Sequence, residues 1–125
     1  MDLGYDGGLT CSTQVTDLDR ALKWYGDVLG FKTLYKVDHI AWAEMATHIP
    51  GVNLGLGQVE QITGRGNCKL TFGVKDADKF RKQLEAKGVK FDGETVEIPG
   101  MVKLATFFDP DQNVVMVYQD LQGKH

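Results

Sequence analysis

The amino-acid sequence predicts an α+β fold of two paired βαβββ modules, and three observations support this prediction. First, the pattern of residues 15–31 recurs in residues 74–91. Second, an alternation of period two leads into each copy and a helical periodicity runs through it, so each copy is a strand end followed by a helix. Third, three more strand-like stretches follow each helix. Recurrence of this kind is typical of a duplicated structural unit.

The strand that opens each module has two different faces. The positions expected to lie under the helices are Leu9, Cys11, Thr13 and Val15 in one strand, and Cys68, Leu70, Phe72 and Val74 in the other. The opposite faces carry smaller or more polar side chains, namely Thr10, Ser12 and Gln14, and Lys69, Thr71 and Gly73. A polar second face indicates a solvated cavity.

The two helices have matching start and stop signals. Asp17 and Asp76 can each accept hydrogen bonds from the free N–H groups of a first helical turn, where their charge also suits the helix dipole. Gly30 and Gly88 are predicted to end the helices, because glycine adopts the left-handed conformation at little cost.

The remaining strands complete the two modules. They are predicted at about 31–37, 40–47 and 52–59, and at about 89–98, 101–108 and 113–119. The modules then span about 9–62 and 67–120. The segment 63–67 is rich in glycine but too short to separate independent domains, so we expect residues 1–125 to form a single domain. Its curled mixed sheet is expected to surround a cleft.

Composition excludes several classes of function. The chain of 125 residues has 14 basic and 17 acidic side chains, a net charge of -3, which argues against nucleic acid and anionic membrane as partners. No apolar stretch approaches the roughly 20 residues of a membrane span, and the N-terminus lacks the features of a signal peptide. Cys11 and Cys68 are far from any metal-binding spacing, which predicts inert, reduced core thiols and a cytoplasmic protein.

Four groups of residues carry a resemblance to a known family. They are Val15–Leu22, Trp24–Tyr25, Leu29–Phe31 and Phe108–Asn113. In this order and at this spacing they resemble the vicinal oxygen chelate superfamily, which includes glyoxalase I, extradiol dioxygenases, fosfomycin resistance enzymes and bleomycin resistance proteins. The resemblance implies the paired βαβββ fold and a homodimer. It does not select an activity, because many activities occupy this scaffold.

The resemblance also allows the family's metal site to be examined position by position. Metal-dependent members place a His or Glu ligand on the first strand and on a later strand of each half. The corresponding residues here are Thr10, Gly55, Lys69 and Met116. None of them is a usual ligand for a hard divalent cation. The resemblance therefore implies the metal-free branch of the superfamily, with no cofactor, whose members include antibiotic-binding proteins that sequester a ligand.

Glu44 and Trp42 are the remaining candidates for chemistry. A partly buried Glu44 beside an aromatic ring could have a raised pKa and act as a general base, or it could pair with a cationic ligand. A structural ion pair with Lys69 is the alternative. Trp42 is predicted to be a stacking wall. His39 and His48 are expected to be exposed, and with Glu44 they mix odd and even positions, which argues against a non-standard metal site.

The leading functional prediction is metal-independent binding of a small organic molecule. The predicted wall consists of Thr10, Ser12, Gln14, Trp42, Glu44, Lys69, Thr71 and Met116. The alternative is a lyase, isomerase or dioxygenase, either metal-free with Glu44 as base or with non-standard metal ligands. A non-catalytic subunit that binds a partner protein is a third possibility. Separately, Gln112 stands where the family's turn usually has glycine, so either Asn113 takes the left-handed conformation or the turn is reshaped.

Overall fold

The computed structural model describes residues 4, 6–63 and 67–122. The chain divides into two compact units, residues 1–68 and 69–125, and each is a βαβββ module within an α+β fold. The central residues of the glycine-rich segment, 64–66, lie outside the described residues. No helix in the described part of the chain is long and apolar enough to cross a membrane.

Module 1 consists of one helix and a four-stranded mixed sheet. Its elements are β1 (Leu9–Val15), α1 (Leu18–Leu29), β2 (Lys32–Val37), β3 (Trp42–Ala46) and β4 (Val52–Gln58). The strand order is β1-β4-β3-β2, in which β1 and β4 are parallel and the other pairs are antiparallel. A short 3-10 helix, Asp38–Ile40, connects β2 to β3.

Module 2 repeats this plan. Its elements are β5 (Leu70–Gly73), α2 (Ala77–Glu85), β6 (Val96–Ile98), β7 (Val102–Phe108) and β8 (Val114–Asp120). The strand order β5-β8-β7-β6 is the same as in module 1. The predicted strand at 89–98 is shorter than expected, since only its last three residues pair continuously and Phe91 forms an isolated bridge to Phe107. The mixed sheet is thus realised as two four-stranded sheets, one per module.

The predicted helix start signals are confirmed. The Asp17 side chain accepts a hydrogen bond from the Arg20 N–H, and the Asp76 side chain accepts one from the Lys79 N–H, both at 3.0 Å. Gly30 ends α1 with φ 77°, as predicted. The second helix ends at Glu85, earlier than predicted, and Gly88 closes the turn that follows it with φ 84°.

The predicted alternation holds in the second half of β1, whereas Leu9, which was expected under α1, is 59% exposed and Cys11 is only partly buried. Thr13 and Val15 are buried under α1, whereas Thr10, Ser12 and Gln14 on the other face retain exposure. The core beneath α1 is completed by buried side chains of the helix and of β3 and β4, namely Leu18, Ala21, Tyr25, Ala43, Met45, Leu54 and Leu56. Cys68 is exposed, so the prediction of a core thiol is wrong at this position, because the chain reaches β5 only at Leu70.

A buried carboxylate organises the turn between β7 and β8. Asp109 is 2% exposed, and its side chain accepts hydrogen bonds from the N–H groups of Asp111 and Asn113, both at 2.8 Å, and from the Asn113 side chain at 2.9 Å. Gln112 itself takes the left-handed conformation, with φ 67°. The network around Asp109 therefore holds a non-glycine residue where the backbone favours glycine.

Candidate functional site

The face of the module 1 sheet opposite α1 carries most of the predicted site residues. We refer to it as the polar face, defined by Thr10, Ser12, Tyr35, Trp42, Glu44, Asn53, Gly55 and Gly57. One cross-strand row runs through Tyr35, Glu44, Gly55 and Ser12. Because residues opposite one another on paired strands share a face, Glu44 lies in the middle of the polar face.

The Glu44 carboxylate is held by neutral donors of its own module. The Tyr35 hydroxyl donates to Oε1 at 3.0 Å, and the Asn53 side-chain amide donates to Oε2 at 2.9 Å. The Thr10 hydroxyl donates to Oε2 over a longer distance of 3.3 Å. These bonds fix the carboxylate on strands rather than on a loop, which makes its position well defined.

The hydrogen bonds favour the ionised form of Glu44. The Asn53 amide has the largest effect and lowers the pKa of the Glu44 carboxyl below its ordinary value of 4.5. Partial burial acts in the opposite direction, while Tyr35, Thr10 and Trp42 lower the pKa further. The raised pKa that the sequence suggested for Glu44 is therefore wrong in direction, because donors that bond to the charged form outweigh burial.

Trp42 lies flat against the backbone of β4. A Cβ atom added to Gly55 would collide with the Cη2 and Cζ2 atoms of the Trp42 ring, and one added to Gly57 would lie 3.6 Å from the ring atom Cε3. The indole therefore occupies the space that a side chain at position 55 would fill and is in van der Waals contact with position 57. Because Gly55 is the register partner of Glu44, the Trp42 ring on Gly55 lies beside the Glu44 carboxylate.

Tyr35 reaches the polar face because of an irregularity in β2. The register pairs Thr33 with Met45 but Tyr35 with Glu44, so Leu34 is an extra residue between them. Such a bulge changes which face the following residues occupy. Without it Tyr35 would share a face with Ala43 and the core. The simple alternation of the sequence gives no sign of this shift, and Tyr35 was not among the predicted site residues.

Two other predicted residues of module 1 have different surroundings. Ser12 pairs with Gly55 and belongs to the polar face. Gln14 instead holds the segment that follows β4, because its side chain accepts a hydrogen bond from the Thr63 N–H at 2.9 Å and its own N–H donates to the Asn67 side chain at 2.8 Å. The interaction found for Gln14 is thus structural.

The equivalent face of module 2 carries the other predicted residues. Thr71 and Met116 are register partners, and Lys69 is exposed immediately before β5. A cavity of about 360 Å³ lies at the end of this sheet, lined by Gly73, Val74, Lys75, Tyr118 and Asp120. Tyr118 covers Gly73, where an added Cβ would lie 2.9 Å from the phenol oxygen.

The residues at the family's metal-ligand positions do not fit a divalent cation. Gly55 has no donor, and the Trp42 ring leaves no room for a side chain there. The Lys69 ammonium has no lone pair, and the Met116 thioether is a weak donor for hard cations. Within residues 4, 6–63 and 67–122, no group of three or more His, Cys, Asp or Glu side chains could hold a metal ion.

The two histidines of the described chain lie apart from the carboxylate network. His39 is exposed in the 3-10 helix before β3. His48 is exposed after β3, and its ring stacks on the buried Phe31 at 6.4 Å between centroids. The exposure predicted for both residues is confirmed.

The model of the Glyoxalase/Bleomycin resistance protein/Dioxygenase superfamily matches residues 9–117. The chain therefore belongs to this superfamily, as its motifs and its two βαβββ modules predicted.

Individual relatives are more distant. A lactoylglutathione lyase from Oryza sativa subsp. japonica is 28% identical in an alignment of 113 residues, which covers 78% of this chain and 39% of that protein. The chain thus spans well under half the length of the lyase.

Two solved structures share the fold. TnmS3, an antibiotic binding protein from Streptomyces sp. CB03234, has a TM-score of 0.76 at 23% identity and covers 95% of this chain and 99% of its own. The fosfomycin resistance protein FosX from Listeria monocytogenes has a TM-score of 0.74 at 16% identity, and the match covers 95% of this chain and 94% of FosX. At these identities the likeness shows the fold alone.

Proposed function

We propose that this chain binds a small organic molecule on the polar face of module 1 without a metal ion. The observation that carries the proposal is the Trp42 indole, which lies on Gly55 and Gly57 beside the Glu44 carboxylate. A flat aromatic surface next to a fixed polar group is typical of small-molecule sites, because the ring supplies contact area and the polar group supplies orientation.

The site is arranged before any ligand arrives. Three donors from β1, β2 and β4 hold Glu44, and the indole is supported by the backbone of β4. A preorganised site loses little conformational freedom on binding, which favours affinity. The antibiotic binding by the structural neighbour TnmS3 is consistent with this use of the fold.

Catalysis with Glu44 as general base is less well supported. A carboxylate that accepts hydrogen bonds from Tyr35, Asn53 and Thr10 is stabilised in its ionised form, and its affinity for a proton falls. A general base performs best when its pKa lies close to the working pH. The lowered pKa of Glu44 therefore favours a binding role over a catalytic one.

We also propose that residues 1–125 act as one domain within a cytoplasmic homodimer. Exposed apolar side chains of module 2, including Val96, Ile98 and Met101, could be covered by a second copy. Cys11 and Cys68 are both unbridged, which suits a reducing compartment. Light scattering of the purified chain should give twice the mass of the monomer, and a monomeric mass would contradict the homodimer.

The binding proposal is tested by a screen of soluble aromatic compounds against the purified chain, read by thermal shift and by the NMR signal of each indole N–H. Ligands should move the Trp42 signal, and the Trp42→Ala variant should lose the response. Trp24→Phe on α1 is the matched control and should retain it. Ligands that bind Trp42→Ala as tightly as the natural chain would refute this site.

The catalytic alternative is tested separately. The lactoylglutathione lyase reaction of the rice relative is assayed with the natural chain and with Glu44→Gln. We expect no turnover above background. Turnover that is lost in Glu44→Gln, in protein that retains its melting temperature, would establish Glu44 as a catalytic residue and contradict the pure binding role.

A further inference from the structure

We infer that the polar face of module 1 selects ligands that carry a positive charge, with an amidinium, guanidinium or ammonium group against the Glu44 carboxylate and the Trp42 ring. The inference rests on the proposed function and adds the charge class of the ligand to it.

The charge of Glu44 has no cation beside it within the described part of module 1. Its hydrogen-bond partners are a phenol, an amide and a hydroxyl, and the Trp42 indole also favours the charged form, but none of these groups carries a positive charge. The lowered pKa means that the carboxylate is ionised at neutral pH. A half-buried negative charge of this kind is a strong point of attraction for a cation, because its solvation is incomplete.

Two exposed carboxylates of module 1 differ from Glu44 in having a cation beside them. Asp19 on α1 is 2.6 Å from the Lys36 ammonium, and Asp27 is 3.0 Å from the Lys23 ammonium. These ion pairs are in solvent, where they contribute little. The Glu44 charge, which three donors hold on the sheet, is therefore available to an external cation.

The aromatic side chains reinforce the preference. The Trp42 ring covers Gly55, which is the register partner of Glu44, so a group in contact with the carboxylate also meets the indole. Cations are attracted to the face of an indole, and Tyr35 adds a second ring whose hydroxyl already points to Glu44. A neutral ligand gains the stacking only, whereas an anion is repelled by the carboxylate.

The geometry favours an organic cation over a metal ion. A hard divalent cation needs several oxygen ligands, and a single carboxylate with an amide and two hydroxyls is a poor set for it. A planar amidinium can instead donate two hydrogen bonds to one carboxylate and stack on a ring. The Thr10 bond, at 3.3 Å, is the longest of the three and the easiest to exchange for such a donor.

Three probes of nearly the same shape test the charge class. They are benzamidine, which is cationic, benzamide, which is neutral, and benzoate, which is anionic. Calorimetry and the NMR shift of the Trp42 indole N–H give their affinities for the full chain. We expect benzamidine to bind at least about tenfold more tightly than benzamide, and benzoate more weakly than either. Added salt should reduce the advantage of benzamidine.

Two variants assign the preference to Glu44. Glu44→Gln keeps the shape of the side chain and should bind benzamidine and benzamide about equally. Glu60→Gln removes one exposed charge beyond β4 and should leave the preference unchanged. Circular dichroism and melting curves show whether each variant is folded. If Glu44→Gln fails to fold, the three probes with the natural chain still decide the charge class, because equal binding of benzamidine and benzamide at the Trp42 signal would refute it.

Failure of the inference and failure of the proposed function give different results. Equal binding of benzamidine and benzamide at the Trp42 signal would refute charge selection and leave small-molecule binding intact. If folded Glu44→Gln still prefers benzamidine, the preference comes from the net negative charge of the chain, and the role of Glu44 is refuted. Absence of binding by benzamidine would also refute the inference. The screen of aromatic compounds would then test small-molecule binding separately.

Discussion

The two modules share their scaffold down to the way in which each helix begins. In module 1 the Gln58 side chain, at the end of β4, accepts a hydrogen bond from the Leu18 N–H at 2.8 Å. In module 2 Gln119, near the end of β8, accepts one from the Ala77 N–H at 2.9 Å. Together with Asp17 and Asp76, these side chains accept hydrogen bonds from two free N–H groups in the first turn of each helix.

The faces opposite the helices are where the modules differ. Module 1 places a carboxylate, its donors and an indole on this face. Module 2 has mostly apolar side chains on the equivalent strands, including Val96, Leu104, Met116 and Tyr118. What the modules share is required for folding, and what differs between them is free to carry function. The comparison therefore directs the search for a ligand to module 1.

The largest expected effect concerns the turn between the last two strands of each module. Asp109→Ala in module 2 removes the carboxylate that accepts hydrogen bonds from the part-buried Asp111 N–H, the buried Asn113 N–H and the Asn113 side chain. We expect the free energy of unfolding to fall by about 3 kcal/mol, because three hydrogen bonds to a buried charged group are lost together. The left-handed Gln112 makes this turn more dependent on its network. Denaturant unfolding curves measure the change.

The equivalent turn of module 1 is the control for this prediction. It is held by the Thr47 hydroxyl, which donates to the Val52 carbonyl at 2.6 Å and accepts from the Ile49 N–H at 3.1 Å, and it has Gly51 in the left-handed conformation. Thr47→Ala should cost only about 1 kcal/mol. Equal losses for the two variants would contradict the greater dependence of module 2 on its turn.

The next effect concerns the glycines beneath the aromatic rings. Gly55→Ala must displace the Trp42 ring, so we expect a loss of roughly 2 kcal/mol in stability and of at least about tenfold in affinity for any ligand of the polar face. Gly73→Ala in module 2 meets Tyr118 less severely and is the matched variant. It should lower stability less and leave that affinity unchanged. A loss of affinity in Gly73→Ala but not in Gly55→Ala would indicate that the ligand binds to module 2.

The fold could be predicted from the sequence because its signals are local. Alternation placed Thr13 and Val15 in the core, and single residues such as Asp17 and Gly30 marked the ends of α1. The strand at 89–98 was predicted too long, since alternation does not show where a partner strand ends. The alternation was confirmed at Thr13 and Val15 but not at Leu9, which is exposed at the start of β1.

The candidate site was predictable only in part. Glu44 and Trp42 were found because they stand alternately on β3 and are unusual on a small-residue face. Tyr35 was missed because the bulge at Leu34 reverses the alternation without any glycine or proline to mark it. The direction of the Glu44 pKa was also wrong, since it depends on donors from Asn53 on another strand, and their reach cannot be read from one strand alone.

A smaller effect tests the shared helix starts. Gln58→Ala and Gln119→Ala each remove one acceptor from a helix N-terminus, and we expect each to lower the free energy of unfolding by about 1 kcal/mol. The two losses should be similar and additive, because each side chain serves its own helix. The double variant, measured by denaturant unfolding, provides the check. A loss of stability in only one of the two variants would show that the two helix starts share their geometry but do not contribute equally to stability.

The smallest effect is the pH dependence that Glu44 confers on module 1. In module 2 the corresponding register position is Thr106, which does not titrate. The pKa of Glu44 is lower in the folded chain than its ordinary value of 4.5, chiefly through the Asn53 amide, so the folded state prefers the ionised form. This contribution to stability is complete above the ordinary pKa and is lost as the pH falls through the lower, folded one. Melting curves from neutral pH to about pH 3 should therefore show the natural chain losing stability relative to Glu44→Gln only at the acidic end.

A difference in stability between the two proteins that stays constant with pH would mean that the carboxylate is not selectively stabilised. A natural chain that gained on Glu44→Gln as the pH fell would indicate a raised pKa and would restore Glu44 as a candidate base.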